Sequence, residues 1–181
     1  ENGELKRKCK TYYDSISYFV SYFKNGEIES KGQFHEEKGL FGLISYYYEN
    51  GELKAQHEFA DNIVNGFSKY YYENGKIYQC IYKKDGILNG DFQEWYPNGK
   101  VKAKAIFTNG SGYVYYYYEN GELQKEGNII NEKETGLWKY YYENGIKQSE
   151  CYYKNGIRNG SYKVWNQKGE VIESGEYKNG I

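Results

Sequence analysis

The stretch SKYYYENGKIYQCIY, Ser68 to Tyr82, decides how the chain is read. Asn74-Gly75 stands between two runs of strand-forming residues, the strongest short-range signal for a β-hairpin. The pair recurs as Asn2-Gly3, Asn25-Gly26, Asn50-Gly51, Asn98-Gly99, Asn120-Gly121 and Asn144-Gly145, and Lys168-Gly169 takes the same place near the end. The glycines at 3, 26, 51, 75, 99, 121, 145 and 169 are separated by 23, 25, 24, 24, 22, 24 and 24 residues. A sustained period in this range marks a repeat array in which each unit is one supersecondary element.

Positions counted from the turn glycine expose the unit. Nine residues earlier stands Gly42, Gly66, Gly90, Gly112, Gly136 or Gly160, with Ser17 in the first unit. Two residues past the turn glycine comes Leu5, Ile28, Leu53, Ile77, Val101, Leu123 or Val171. Eight past it comes Phe34, Phe59, Phe107, Ile129, Tyr153 or Tyr177, and Tyr82 joins them if its unit lacks one residue. A two-residue Asn-Gly loop would set Tyr48 opposite Leu53, Tyr46 opposite Ala55, Ile44 opposite His57 and Gly42 opposite Phe59, all on one side of the sheet. By the same register Gly136 meets Tyr153 and Gly160 meets Tyr177. An aromatic ring laid over a strand glycine covers its bare backbone. Pro97, just before Asn98-Gly99, conflicts with a two-residue loop and predicts a four-residue one there, with Tyr96 and Val101 still paired.

The other side of the sheet reads as polar, with Lys6, Lys8, Lys31, Lys54, Lys102 and Lys104 on it. One exception recurs four residues before each turn glycine: Tyr22, Tyr47, Tyr71, Trp95, Tyr117, Tyr141 and Trp165. Stacked hairpins would align these rings into a stripe. The fold predicted is all-β: an elongated, single-layer antiparallel meander of tandem hairpins, essentially without helix. Residues 1–181 read as one continuous array of seven complete hairpins and two half-units, about 15 strands and about 70 Å long if open. Such stability is cumulative, because each unit buries its apolar face only against neighbours.

Composition agrees with an ordered chain whose core is unusual. A mean hydropathy of −0.98 is low, but net charge is only −1 and a fifth of the residues are aromatic, 25 of them Tyr. The core must therefore be built from rings that bury their bodies and keep a partner for the hydroxyl. Lys and Arg number 24 against 25 Asp and Glu, without the basic excess a nucleic-acid or anionic-lipid binder uses. No apolar run approaches the roughly 18 residues of a membrane-spanning helix. The chain begins and ends inside a repeat, so a fragment or processed form is expected, with secretion or the cell surface the favoured location.

The unit TGLWKYYYENGIKQSECYYKNG, residues 135–156, resembles the bacterial variant of the MORN repeat, and WYPNGK is similar to the Tyr-Pro-Asp-Gly turn of ordinary MORN repeats. The resemblance extends over essentially the whole chain. It implies extended β-hairpin arrays acting as interaction or scaffold modules. The name antitoxin-like, which such arrays often carry, implies neutralisation of a cognate toxin but comes with no residue signature.

Chemistry is sparse. Cys9, Cys80 and Cys151 are spaced 71 residues apart, six strands and roughly 29 Å in an open stack, too far for a disulfide. They read as small hydrophobes in the slot six residues past a turn glycine, which Gly32, His57, Ala105, Gly127 and Gly175 also fill, Cys80 fitting only if its unit lacks a residue. His35 and His57 lack a ligand cluster, so no metal or cofactor is expected, and no nucleophile–base constellation points to an enzyme. The stripe residues read either as rings covering Lys and Gln stems or as a flat platform for a protein or a glycan, since Tyr and Trp dominate binding hot spots. Bases also stack on such rings, but nucleic acid is not expected without a basic groove. The reading is thus a non-enzymatic repeat scaffold binding a protein through the stripe or the apolar trough, with glycan binding through Trp95 and Trp165, or toxin neutralisation, as alternatives. The loops between hairpins are a further contact surface, and rings left facing water make self-association an expectation.

Overall fold

The computed structural model describes residues 8–11 and 16–181, with side chains from Ile16 onward. The Asn2-Gly3 turn, Leu5, Lys6 and the side chains of Lys8 and Cys9 lie outside the described residues. Two compact units, residues 1–87 and 88–181, make up the chain. The first carries β1 (Lys8–Thr11), β2 (Ile16–Tyr22), β3 (Ile28–His35), β4 (Gly39–Tyr47), β5 (Leu53–Ala60), β6 (Ile63–Tyr71) and β7 (Ile77–Lys84). The second carries β8 (Ile87–Trp95, all but its first residue), β9 (Val101–Thr108), β10 (Ser111–Tyr117), β11 (Leu123–Ile130), β12 (Lys133–Tyr141), β13 (Lys147–Lys154), β14 (Ile157–Trp165) and β15 (Val171–Tyr177). Within each unit consecutive strands pair antiparallel and the last does not return to the first. In each unit the described residues form an all-β meander without helix, as the repeat predicts.

Alternation sorts the faces. In β9, Ala103, Ala105 and Phe107 are buried while Lys104, Ile106 and Thr108 are exposed, the period-2 signature of a strand packed on one side. Ala105 and Phe107 cluster with Val114, and Leu88, Phe92, Tyr116 and Ile129 pack around them.

The register is the predicted one away from the turns. Gly42 faces Phe59, Ile44 faces His57 and Tyr46 faces Ala55; Gly136 faces Tyr153 and Gly160 faces Tyr177. Seven residues before the turn glycine and six after it, large meets small in Phe19–Gly32, Phe92–Ala105, Val114–Gly127, Trp138–Cys151 and Tyr162–Gly175, while Ile44 meets the His57 ring. One hairpin reverses the order, with Ser68 opposite Ile81. That reversal corrects the expectation of a missing residue. No residue is absent: Lys83 faces Gly66, Tyr82 faces Phe67 and Cys80 faces Lys69. The pair conserves volume by exchanging sides, so Ile81 occupies the slot assigned to Cys80.

The turns differ from the prediction. Gly51 N–H donates to the Tyr48 carbonyl at 3.0 Å, and Tyr48 N–H donates to the Glu52 carbonyl at 2.8 Å. The loop is therefore the three residues Glu49-Asn50-Gly51, a type I turn followed by a left-handed glycine at φ +85. Asn50 is not left-handed, as a two-residue type I′ turn would require. Its Oδ1 instead accepts the Glu52 N–H at 2.9 Å, an Asx contact that favours the turn locally. Pro97 is the first residue of the same loop: Gly99 N–H reaches the Tyr96 carbonyl at 2.8 Å. Its fixed φ suits that position and its missing N–H is not needed, so no four-residue loop is formed. Tight left-handed pairs occur in the other set of loops, at Asp61-Asn62, Asn109-Gly110, Asn131-Glu132 and Asn155-Gly156.

The three-residue loop shifts the pairing beside it. Leu53 pairs with Tyr47 rather than Tyr48, and Lys54 is left over between Leu53 and Ala55. Val101 likewise pairs with Trp95 rather than Tyr96, and Lys102 is left over. These are β-bulges, each set at a stripe residue.

Candidate functional site

All seven stripe residues are half-buried, none an open platform. The first unit holds Tyr22, Tyr47 and Tyr71; the second holds Trp95, Tyr117, Tyr141 and Trp165. Lysine ammoniums lie over the rings at 5.2 Å (Lys31 on Tyr47), 5.3 Å (Lys104 on Tyr117) and 4.8 Å (Lys147 on Trp165). Tyr71 donates to Gln56 Oε1 at 3.1 Å and Tyr141 to Glu126 Oε1 at 2.8 Å. Burial, then the Glu126 contact, holds the Tyr141 phenol protonated well above its ordinary range.

The stripe backbone has a second role that sequence reasoning missed. Tyr48 donates its hydroxyl to the Tyr71 carbonyl at 2.7 Å, Tyr96 to Tyr117 at 2.7 Å, Tyr118 to Tyr141 at 2.7 Å and Tyr142 to Trp165 at 2.9 Å. Each bond crosses to the next repeat and ends on a carbonyl at the bulge, where the regular ladder is interrupted. The signal was present as the third residue before every turn glycine, Tyr in five repeats but Phe23 and Asn166 in the others. Turns are tied in the same direction, Asn25 Nδ2 and Asn120 Nδ2 donating to the Glu49 and Glu143 carbonyls at 3.2 Å. Tyr118→Phe is expected to cost about 1 kcal/mol, because the part-buried Tyr141 carbonyl loses its donor. Phe23→Tyr should give about half as much back by extending the ladder to Tyr47. Urea midpoints at unchanged slope check both.

A concave feature lies within the first unit, against the stripe residue Tyr47. It is an open cleft of about 600 Å³ walled by Tyr46, Tyr47, Tyr48, Tyr70 and Tyr78, with Lys54 and Lys83 also lining it. The β4–β5 and β5–β6 pairings bring these residues together: Tyr46 and Tyr70 both face Ala55. At its floor the His57 ring sits 5.5 Å from Tyr46, 5.1 Å from Tyr70 and 6.1 Å from Phe59, centroid to centroid. Its Nδ1 is buried without a hydrogen-bond partner among the described residues.

Burial, aided by the Lys83 charge, pushes His57 below its ordinary 6.5 and keeps the ring neutral. Burial likewise raises Tyr46 and Tyr70. Below pH 6.5 the unfolded chain binds the His57 proton more readily than the folded one. The stability this group contributes is therefore complete above pH 6.5 and lost as the pH falls from there through the lowered folded value. A His57→Gln variant should show a flatter stability profile below about pH 6.5 than the parent, measured by urea unfolding at each pH.

The MORN repeat variant family matches five consecutive segments, residues 42–61, 65–84, 88–109, 111–131 and 134–155. Together they make up more than half of the sequence and keep step with the hairpins. No curated protein matches the chain. Among solved structures, similarity is found to a chain in the crystal structure of accessory secretory protein 1,2 and 3 in Streptococcus pneumoniae, at 18% identity and a TM-score of 0.25. The similar region is 64% of this chain and 19% of that one, so this chain spans about a fifth of its length. Among the described residues no helix is long and apolar enough to cross a membrane.

Proposed function

This chain belongs to the MORN repeat variant family, and from that footing we propose that it is a non-enzymatic scaffold that holds a protein partner on its aromatic surface. The observation that carries the reading is the open cleft walled by Tyr46, Tyr48, Tyr70 and Tyr78. Tyrosine rings offer large contact area at little cost in side-chain entropy, and their hydroxyls stay compatible with water until a partner arrives. The bond from Tyr48 to the Tyr71 carbonyl holds one wall in place before binding, which reduces the ordering cost of association. The stripe is the second contact surface, its rings already covered in part by lysine stems.

Affinity capture from lysate and envelope tests the reading with three baits: the parent, Tyr78→Ala, and the Trp95→Ala/Trp165→Ala pair. A partner retained by the parent and lost with Tyr78→Ala at unchanged thermal melting supports the cleft. Loss only with the tryptophan pair moves recognition to the stripe. A parent that retains nothing overturns the scaffold reading.

A further inference from the structure

We propose that the cleft of the first unit takes an acidic peptide segment, with an apolar side chain entering between Tyr46, Tyr70 and Tyr78 and flanking carboxylates meeting Lys54 and Lys83. This rests on the scaffold reading and names the occupant of its site. Size comes first: about 600 Å³ of open space accepts one or two side chains of an extended segment, in the range of ordinary ligand pockets.

The shape of the walls selects among ligands. The rings around His57 are tilted rather than coplanar, at 57° to Tyr46, 66° to Tyr70 and 89° to Phe59. Tyr78 is inclined by 39° to Tyr70 and 44° to Tyr72. A pyranose needs a flat, open ring face. The converging rings instead suit an aromatic or branched side chain, which gains from edge-to-face contacts.

Charge selects further. Lys54 and Lys83 line the cleft against the single carboxylate of Glu29. Among the described residues neither lysine makes an ion pair. The Lys54 ammonium stands 5.6 Å from the Tyr48 ring centroid, and Lys83 is close enough to act on His57 through its charge.

Selection from a displayed library of random dodecapeptides on the parent chain tests the proposal. Enriched peptides should place an aromatic or branched apolar residue beside Asp or Glu. A synthesised consensus peptide should bind roughly tenfold or more weakly to Lys54→Glu/Lys83→Glu, less so to the folding control Lys54→Gln/Lys83→Gln, and should weaken as salt rises from about 0.05 to about 0.5 M. Enrichment of neutral or basic peptides, no enrichment, or indifference to both charge variants overturns it. So does binding to phosphatidylserine vesicles without binding to peptide. If the occupant is wrong while lysate capture still depends on Tyr78, the scaffold reading stands; capture that ignores every variant removes both.

Discussion

Trp138→Ala is expected to destabilise the second unit by about 3–5 kcal/mol, the range for truncating a fully buried aromatic. Trp138 has no exposed surface and its indole N–H donates to the Asn128 carbonyl at 3.1 Å. Its ring covers Gly127 on one side, faces Cys151 across the hairpin, lies 6.4 Å from both Tyr116 and Tyr153 and carries the Lys125 ammonium at 5.0 Å. Removing it opens a cavity over a glycine that has no side chain to collapse into the space. Trp138→Phe keeps most of the volume but loses the N–H, so it should cost less than half as much. Urea unfolding followed by circular dichroism compares the two. A loss under about 1 kcal/mol for the alanine variant would mean that the indole is not a packing centre.

Gly127→Ala should cost about 1–3 kcal/mol by overpacking against an enclosed ring. A Cβ at Gly127 would stand 2.3 Å from the Trp138 ring. A rigid, enclosed indole cannot yield as a flexible side-chain end could. Gly32 provides the contrast: its added Cβ would meet the Ile44 Cδ1 at the same distance, and a terminal methyl can rotate away. The Gly127 defect is expected to depend on the indole, so the double variant Gly127→Ala/Trp138→Leu should lose less than the two single changes summed. A double-mutant cycle with a coupling of at least about 0.5 kcal/mol confirms contact. Strict additivity would place the clash elsewhere.

The Trp138–Gly127 pair also shows what could be read in advance. The slot six residues past each turn glycine was legible as a small-residue position, because Gly, Ala and Cys fill it at a constant phase. Its opposing large residue follows from hairpin register alone. The approach of Trp138 from the next hairpin onto Gly127 was not legible, since it depends on how β12 is bulged against β11, between Glu126 and Asn128. The same limit explains Cys80. The positions of Cys80 and Tyr82 suggest a missing residue in their unit, whereas the pair Ser68–Ile81 keeps the volume by reversing large and small.

For the surfaces, the stripe was visible as seven aromatic residues at one phase, but its partial burial under lysines was only one of two readings. The tyrosine ladder is equally periodic in sequence, but a hydroxyl reaching a carbonyl some 23 residues on leaves no mark in local pattern. The walls of the cleft fall at repeat phases, Tyr46 and Tyr70 five residues before their turn glycines, but the His57 imidazole has no periodic signal. The cleft arises where one repeat places an imidazole in the slot that others fill with Gly, Ala or Cys, with rings gathered around it.

By itself the sequence determined the period, the all-β hairpin architecture, the pairing of the strands away from the turns and the family. These follow from a two-residue side-chain alternation and from glycines at constant spacing, both properties of the local chain. Tertiary structure decided the loop type, the bulge beside every stripe residue, the ladder of hydroxyls between repeats and the place of the cleft. A type I turn with a left-handed glycine and a type I′ turn draw on the same Asn-Gly pair; the strands around the turn select between them. The carbonyls freed at the bulges become binding partners only when the next repeat brings a tyrosine within 2.7–2.9 Å.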